Sequence, residues 1–326
     1  VHIPLVDLGP WFHGDDTARR RLAEEVDRHL QAVGFLLVTG HGIDAEVFTD
    51  AREAVRRFSR LPLEAKQRYH QREGAYRGWV GLGEESNAGA YGVDAPPDLK
   101  ETFAVGTPDV DEELRRRAPR WFAENLYPDD EVPEFRRAVD RFIREARGLV
   151  DELLDLLSMA LGMPIDTMRS FCTTPSLSAS FNWYLPRTAL TTEVLPGQYR
   201  IGPHTDYGTL TVLDRQAGAG GLEVLVDGEW ITAPWVEGGL VVNTGLLMGR
   251  WSNDRWSPNV HRVAPPPAED PDEELISLVL FHDPDHDAVI APLEGCCGPD
   301  RPPRYEPVIA GDHLARMMDA LAVDDD

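Results

Sequence analysis

Apolar residues recur at helical spacing through the first half of the chain and in short runs through the second. Leu22, Val26 and Leu30 predict a helix over 17–32 that ends at Gly34, and Phe35-Leu36-Leu37-Val38 then reads as a buried strand. Residues 5–8 predict a shorter strand. Asp44 can cap a second helix carrying Val47, Phe48, Ala51, Val55 and Phe58, with Pro62 at its end. The glycine-rich stretch 74–97 reads as a long loop. The longest helical pattern runs over 134–161 and is closed by Gly162 and Pro164.

From Ser176 the texture changes to short apolar runs broken by Gly, Pro, Asn and Asp. Strands are expected at 177–185, 199–206, 209–213, 222–226, 230–232, 240–242, 260–264 and 276–281. Many short strands at this spacing suggest a sandwich or barrel of jelly-roll type. The expected fold is therefore mixed α/β with a mainly-β core surrounded by helices. Its segments are 1–175 (helices and strands), 176–310 (the β-core) and 311–326 (a C-terminal helix and tail), with no linker that splits them.

Composition narrows the function. At 42% hydrophobic, the 326 residues can bury a large core. No run approaches 18 apolar residues, so no membrane span is expected, and the start lacks the regions of a signal peptide. Three cysteines, Cys172, Cys296 and Cys297, make no disulfide framework and suit a reducing cytoplasm. A formal net charge of −24 repels phosphate backbones and anionic lipid, which argues against nucleic-acid and membrane partners. Lys66 and Lys100 are the two lysines; the other basic residues are arginine.

The candidate chemistry lies in Gly202-Pro203-His204-Thr205-Asp206-Tyr207-Gly208, with His261 in Asn259-Val260-His261-Arg262-Val263. Two residues apart on a strand, His204 and Asp206 would leave the same face, and His261 would reach them from a neighbouring strand. Two imidazoles and a carboxylate can form a facial triad that holds Fe(II) and leaves positions open. A lone His-x-Asp is common, so the flanking residues decide.

Those flanking residues resemble the isopenicillin N synthase-like Fe(II)- and 2-oxoglutarate-dependent dioxygenases. The likeness runs over 197–213 and continues in Val242-Asn243-Thr244-Gly245, 250–256 and His261-Arg262-Val263. It also includes Ile3-Pro4-Leu5-Val6-Asp7-Leu8, Gly34-Phe35-Leu36-Leu37-Val38, Gly40-His41-Gly42-Ile43 and Pro97-Asp98-Leu99-Lys100-Glu101. It implies a double-stranded β-helix with Fe(II) at its mouth, held by His204, Asp206 and His261. It also implies O2 and 2-oxoglutarate as co-substrates, the keto acid hydrogen-bonded by Asn182, Tyr184 and Ser277. The family's Arg-x-Ser is broken here, because Leu275 stands where the arginine is expected. A bidentate Arg–carboxylate contact contributes roughly 1.5–3 kcal/mol, which leucine cannot replace.

Three explanations are open: another arginine supplies the charge, the keto acid is not used, or activity is lost. Strict strand alternation puts Arg200 on the face of His204 and makes it the leading replacement, with a rim ion pair as the competing role. Tyr207, Phe281, Arg77 and Tyr91 are candidate substrate contacts. His41 reads as a structural turn residue, His282 and His286 as loop residues, and Arg262 as pointing away from the metal toward an acid. The expected function is oxidation of a small molecule (hydroxylation, desaturation or cyclisation) in specialised metabolism. The alternatives are an Fe(II) oxidase that needs no keto acid and a non-enzymatic small-molecule-binding jelly roll.

Overall fold

The computed structural model describes residues 2–72, 74–89, 95–190, 194–266 and 272–321. The N-terminal part runs β1 (Leu5–Asp7), α1 (Gly9–His13), α2 (Asp16–Val33), β2 (Phe35–Thr39), α3 (Ala45–Ser59), α4 (Leu63–Gln67), β3 (Gly78–Val80), β4 (Glu101–Gly106), α5 (Glu112–Arg117) and α6 (Phe135–Ala160). The β-rich part follows with β5 (Leu177–Tyr184), β6 (Ile201–His204), β7 (Leu210–Arg215), β8 (Gly221–Val226), β9 (Glu229–Thr232) and β10 (Leu240–Thr244). After α7 (Leu246–Trp251) come β11 (His261–Ala264), β12 (Leu275–His282), β13 (Val289–Ile290), β14 (Val308–Ile309) and α8 (Ala310–Leu321).

Local signals set the helix ends. Asp15 accepts the Ala18 N–H at 2.9 Å at the start of α2, and Gly34 stops that helix in the left-handed region at φ 68°. Asp44 accepts the Glu46 N–H at 3.0 Å and caps α3 as its position predicts. Among its described residues, the stretch expected as a loop over 74–97 contains one strand, β3, which pairs antiparallel with β4. That pairing is non-local and leaves no periodicity to read in three residues.

The two larger sheets have the orders β1-β2-β10-β7-β12-β5-β4-β3 and β6-β11-β8-β9, and β13 pairs antiparallel with β14 in a separate small sheet. Strands β5 to β12 are shared between them, so β10-β7-β12-β5 and β6-β11-β8-β9 are the two halves of a jelly roll. The N-terminal strands extend the larger sheet at both edges.

Alternation in β5 and β12 separates core from cavity. Phe181, Ile276, Leu278 and Leu280 join Phe135, Phe142 and Ile143 of α6 in the main hydrophobic core, closing one face of the larger sheet. Ser178, Ser180, Asn182 and Tyr184, with Ser277, Val279 and Phe281, line a cavity of about 410 Å³ on the other face. The helices thus brace the sheet from behind and leave its inner face open to a ligand.

Candidate metal centre

His204 is the last residue of β6 and pairs directly with His261, the first of β11. Asp206 lies beyond the strand end, in the connection to β7, so strand alternation does not place it. Its backbone carbonyl accepts the Leu246 N–H at 2.8 Å, at the start of α7. The carboxylate nonetheless converges: Asp206 Oδ1 stands 3.8 Å from His204 Nε2 and 3.7 Å from His261 Nε2. The three ligand atoms lie within 4.8 Å of one another.

The surroundings fit a divalent ion. The backbone carbonyl of Gly202 lies 2.8 Å from His204 Nδ1, and that of Asn259 lies 3.2 Å from His261 Nδ1. A carbonyl can only accept, so each Nδ1 carries the proton and each Nε2 keeps a lone pair for the metal. Thr211 Oγ1 and Asn243 Nδ2 donate to Asp206 Oδ2 at 2.6 and 2.7 Å, leaving Oδ1 for the ion. Burial, followed by the charge of His261, lowers His204 below the ordinary imidazole range, which favours the neutral form. Burial alone would raise Asp206, but the two imidazoles and the two hydrogen bonds bring it below the usual carboxylate range.

Asn182, Tyr184 and Ser277 form one buried cluster on the larger sheet. Asn182 Nδ2 donates to Ser277 Oγ at 3.2 Å, and Tyr184 Oη lies 3.1 Å from the same oxygen. Burial raises the Tyr184 hydroxyl to about 12, so it stays protonated. Leu275 is directly opposite Tyr184 in the β12–β5 register.

Arg200 does not take the direction that alternation predicts. His261 pairs with His204 but Val263 pairs with Ile201, so β6 carries one extra residue. This bulge, next to Pro203, makes Ile201 rather than Arg200 share the cavity face with His204. Arg200 is buried behind the cavity. It donates to Glu273 Oε1 at 2.6 Å and to the Glu273 carbonyl at 3.2 Å, and its guanidinium lies 5.2 Å from the Tyr184 ring centre.

Lys100 is the cation that strand spacing does not reveal. It is buried, lines the cavity, donates to Thr102 Oγ1 at 2.7 Å and pairs with Glu85. Thr102 Oγ1 in turn donates to Asn182 Oδ1 at 3.0 Å, which joins Lys100 to the polar cluster.

Arg77, Tyr207 and Phe281 also line the cavity, whereas Tyr91 lies outside the described residues. Arg77 donates to the carbonyls of Tyr76 and Trp121 at 2.9 and 3.0 Å, and burial brings it down to about 10. Leu314 and Met318 of α8 complete the wall. His41 has a structural role: the Ile43 N–H donates to Nδ1 at 3.1 Å, so Nε2 carries the proton and donates to the Gly238 carbonyl at 3.0 Å. His282 ends β12 rather than lying in a loop. It is buried and lowered to about 3, mainly by burial. Arg262 turns to Glu223 at 2.6 Å, away from the metal ligands.

Two imidazoles and a carboxylate at the mouth of a jelly roll define the class of mononuclear non-haem metal enzymes. The family description "2OG-Fe(II) oxygenase superfamily" matches residues 179–284, and "non-haem dioxygenase in morphine synthesis N-terminal" matches residues 3–130. The validamycin A dioxygenase of Streptomyces hygroscopicus subsp. limoneus is 37% identical, covering 91% of this chain and 80% of that one. The crystal structure of a full-length Neurospora crassa protein in complex with alpha-KG and thymine superposes with a TM-score of 0.86 at 27% identity, covering 98% of this chain and 96% of that one. A putative 2OG-Fe(II) oxygenase family protein from Caulobacter crescentus has a TM-score of 0.84 at 27% identity, covering 97% and 98%. The chain belongs to the Fe(II)- and 2-oxoglutarate-dependent dioxygenases.

Proposed function

We propose that His204, Asp206 and His261 hold the iron of this dioxygenase and that Asn182, Tyr184 and Ser277 hydrogen-bond 2-oxoglutarate. Lys100, rather than Arg200, supplies the positive charge that Leu275 cannot. Arg77, Tyr207 and Phe281 contact the substrate. The observation that carries this reading is the convergence of three ligand atoms whose outer partners fix both tautomers and the free carboxylate oxygen. Bound Fe(II) with 2-oxoglutarate supplies the oxidation of a C–H bond by O2, the keto acid leaving as succinate and CO2. The protein's own groups position the ligands, shape the cavity wall and keep the substrate over the metal.

The substrate is a small molecule of specialised metabolism; the relative named for validamycin A and a cavity of about 410 Å³ support this. Segments 1–175, 176–310 and 311–326 work as one unit, since all three contribute to the cavity wall. The test is anaerobic addition of Fe(II) and 2-oxoglutarate, which should develop the visible charge-transfer band of a keto-acid chelate. Admission of O2 and measurement of succinate complete it. Oxidised product without keto acid or succinate would overturn the role of 2-oxoglutarate.

The residues around the carboxylate have a measurable role of their own. Asn243→Leu should weaken Fe(II) binding by about tenfold, the lower end of what outer-sphere partners of a ligand contribute. Anaerobic titration checks it, and an unchanged affinity would remove Asn243 from the metal site.

No helix among the described residues is long and apolar enough to cross a membrane. With a formal charge of −24, this cytoplasmic enzyme should show no affinity for DNA or RNA at physiological salt. A salt-sensitive gel shift at submicromolar protein would contradict that expectation.

A further inference from the structure

One carboxylate in the cavity wall is unused by the arrangement above. Asp283 lies two residues after Phe281, just past the end of β12, and lines the cavity with it. Its Oδ1 is buried with no hydrogen-bond partner among the described residues. The adjacent Ser176, whose carbonyl accepts the Asp283 N–H at 3.2 Å, also lines the cavity, and its buried Oγ has no partner either. Gly208 makes room for the carboxylate: a Cβ there would stand 2.2 Å from Asp283 Oδ1. The backbone at Gly208 is not left-handed, so it is the carboxylate, rather than strain, that excludes a side chain.

The other cavity carboxylates have partners. Glu85 has Lys100, and Asp206 has Thr211, Asn243 and the two imidazoles. The cavity's arginines make their bonds elsewhere, Arg120 to Asp319 at 2.7 Å and Arg77 to two carbonyls, although the Nε of each is buried without a partner among the described residues. Asp283 and Ser176 thus put two acceptor groups in the cavity wall, one of them ionisable, and among the described residues Oδ1 and Oγ have no hydrogen-bond partner. Burial pushes the Asp283 carboxyl up, a penalty that a cation beside it would offset.

We propose that Asp283 and Ser176 form a subsite for an amino group of the substrate, the ammonium N–H groups donating to the carboxylate and to the hydroxyl oxygen. An ammonium brings three donors and a compensating charge, whereas an alcohol brings one donor and no charge. The subsite deepens the dioxygenase reading by naming a substrate class, and rests on that reading for the oxidation of the bound molecule.

The test uses cyclohexylammonium, cyclohexanol and cyclohexanecarboxylate as probes on the full chain loaded with Fe(II) and 2-oxoglutarate without O2. Binding is monitored by tryptophan fluorescence and by perturbation of the charge-transfer band. The wild-type protein should bind the amine at least about tenfold tighter than the alcohol. Asp283→Asn and Asp283→Ala should both bring the two within about twofold, and Ser176→Ala should narrow the gap by about threefold. Thermal melts establish that each variant is folded, and the isosteric Asn variant alone suffices if the alanine variant does not fold. A preference that persists in Asp283→Asn overturns the proposal. So does a wild-type protein that binds the alcohol or the carboxylate as tightly as the amine, or that binds no amine at its highest soluble concentration. A missing charge-transfer band in the wild-type protein would instead count against the co-substrate reading, since fluorescence still reports the amine preference.

Discussion

Asp206→Asn should give a folded protein that no longer binds iron. Thr211 and Asn243 donate to one carboxylate oxygen, and the two imidazole Nε2 atoms face the other. The amide that replaces the carboxylate can turn its oxygen to the two donors and its NH2 to the imidazole lone pairs. All four partners stay satisfied, while the anionic ligand is lost and N–H groups point where the cation would sit. Loss of an outer-sphere partner alone weakens metal binding about 10–100-fold, so loss of the charged ligand should exceed about 100-fold. Succinate formation should fall to background, with a melting temperature close to that of the metal-free wild-type protein. Anaerobic iron titration and a thermal melt measure both. Stoichiometric iron at unchanged affinity in a His204→Ala/Asp206→Ala double variant would remove the triad from the metal site.

The site is legible in the sequence where side-chain direction depends on local pattern, and hidden where direction depends on pairing. On β5 and β12, Asn182, Tyr184 and Ser277, which the resemblance implies, and Phe281, which shares the parity of Ser277, line the cavity, because both strands are regular over eight residues and keep the period of two. On β6 the same rule sends Arg200 the wrong way, since one bulged residue inverts every assignment before it. Asp206 joins the two imidazoles although the strand on which the spacing relies ends at His204. Lys100 stands out in the sequence only as one of two lysines and as part of a resembling segment. Its direction comes from Thr102 pairing with Asn182 across β4 and β5, a contact between residues 80 positions apart. Asp283 has the parity of Ser277 and Phe281, but the neighbouring Pro284 and Asp285 read as a loop.

The exchange of Arg200 for Lys100 as the co-substrate's cation separates into two opposite results. Lys100→Met should raise the apparent KM for 2-oxoglutarate by about 10–100-fold, the equivalent of roughly 1.4–2.8 kcal/mol of charge-assisted hydrogen bonding. Two of the three Nζ donors are assigned, to Glu85 and Thr102, so one remains for a ligand on the cavity side. Arg200→Leu should behave differently. It leaves Glu273 without its cation, although Gly220 N–H still donates to Oε1 at 3.3 Å. The expected loss is therefore at the lower end of the roughly 3–5 kcal/mol for a broken buried pair, with the KM changed less than about threefold. Arg200→Leu combined with Glu273→Leu removes both charges and should recover part of that stability. Steady-state kinetics in 2-oxoglutarate and thermal melts on all three variants check the pattern. The reverse result, a large KM increase in Arg200→Leu and none in Lys100→Met, would place the charge on Arg200 and require its side chain to leave Glu273 when the keto acid binds.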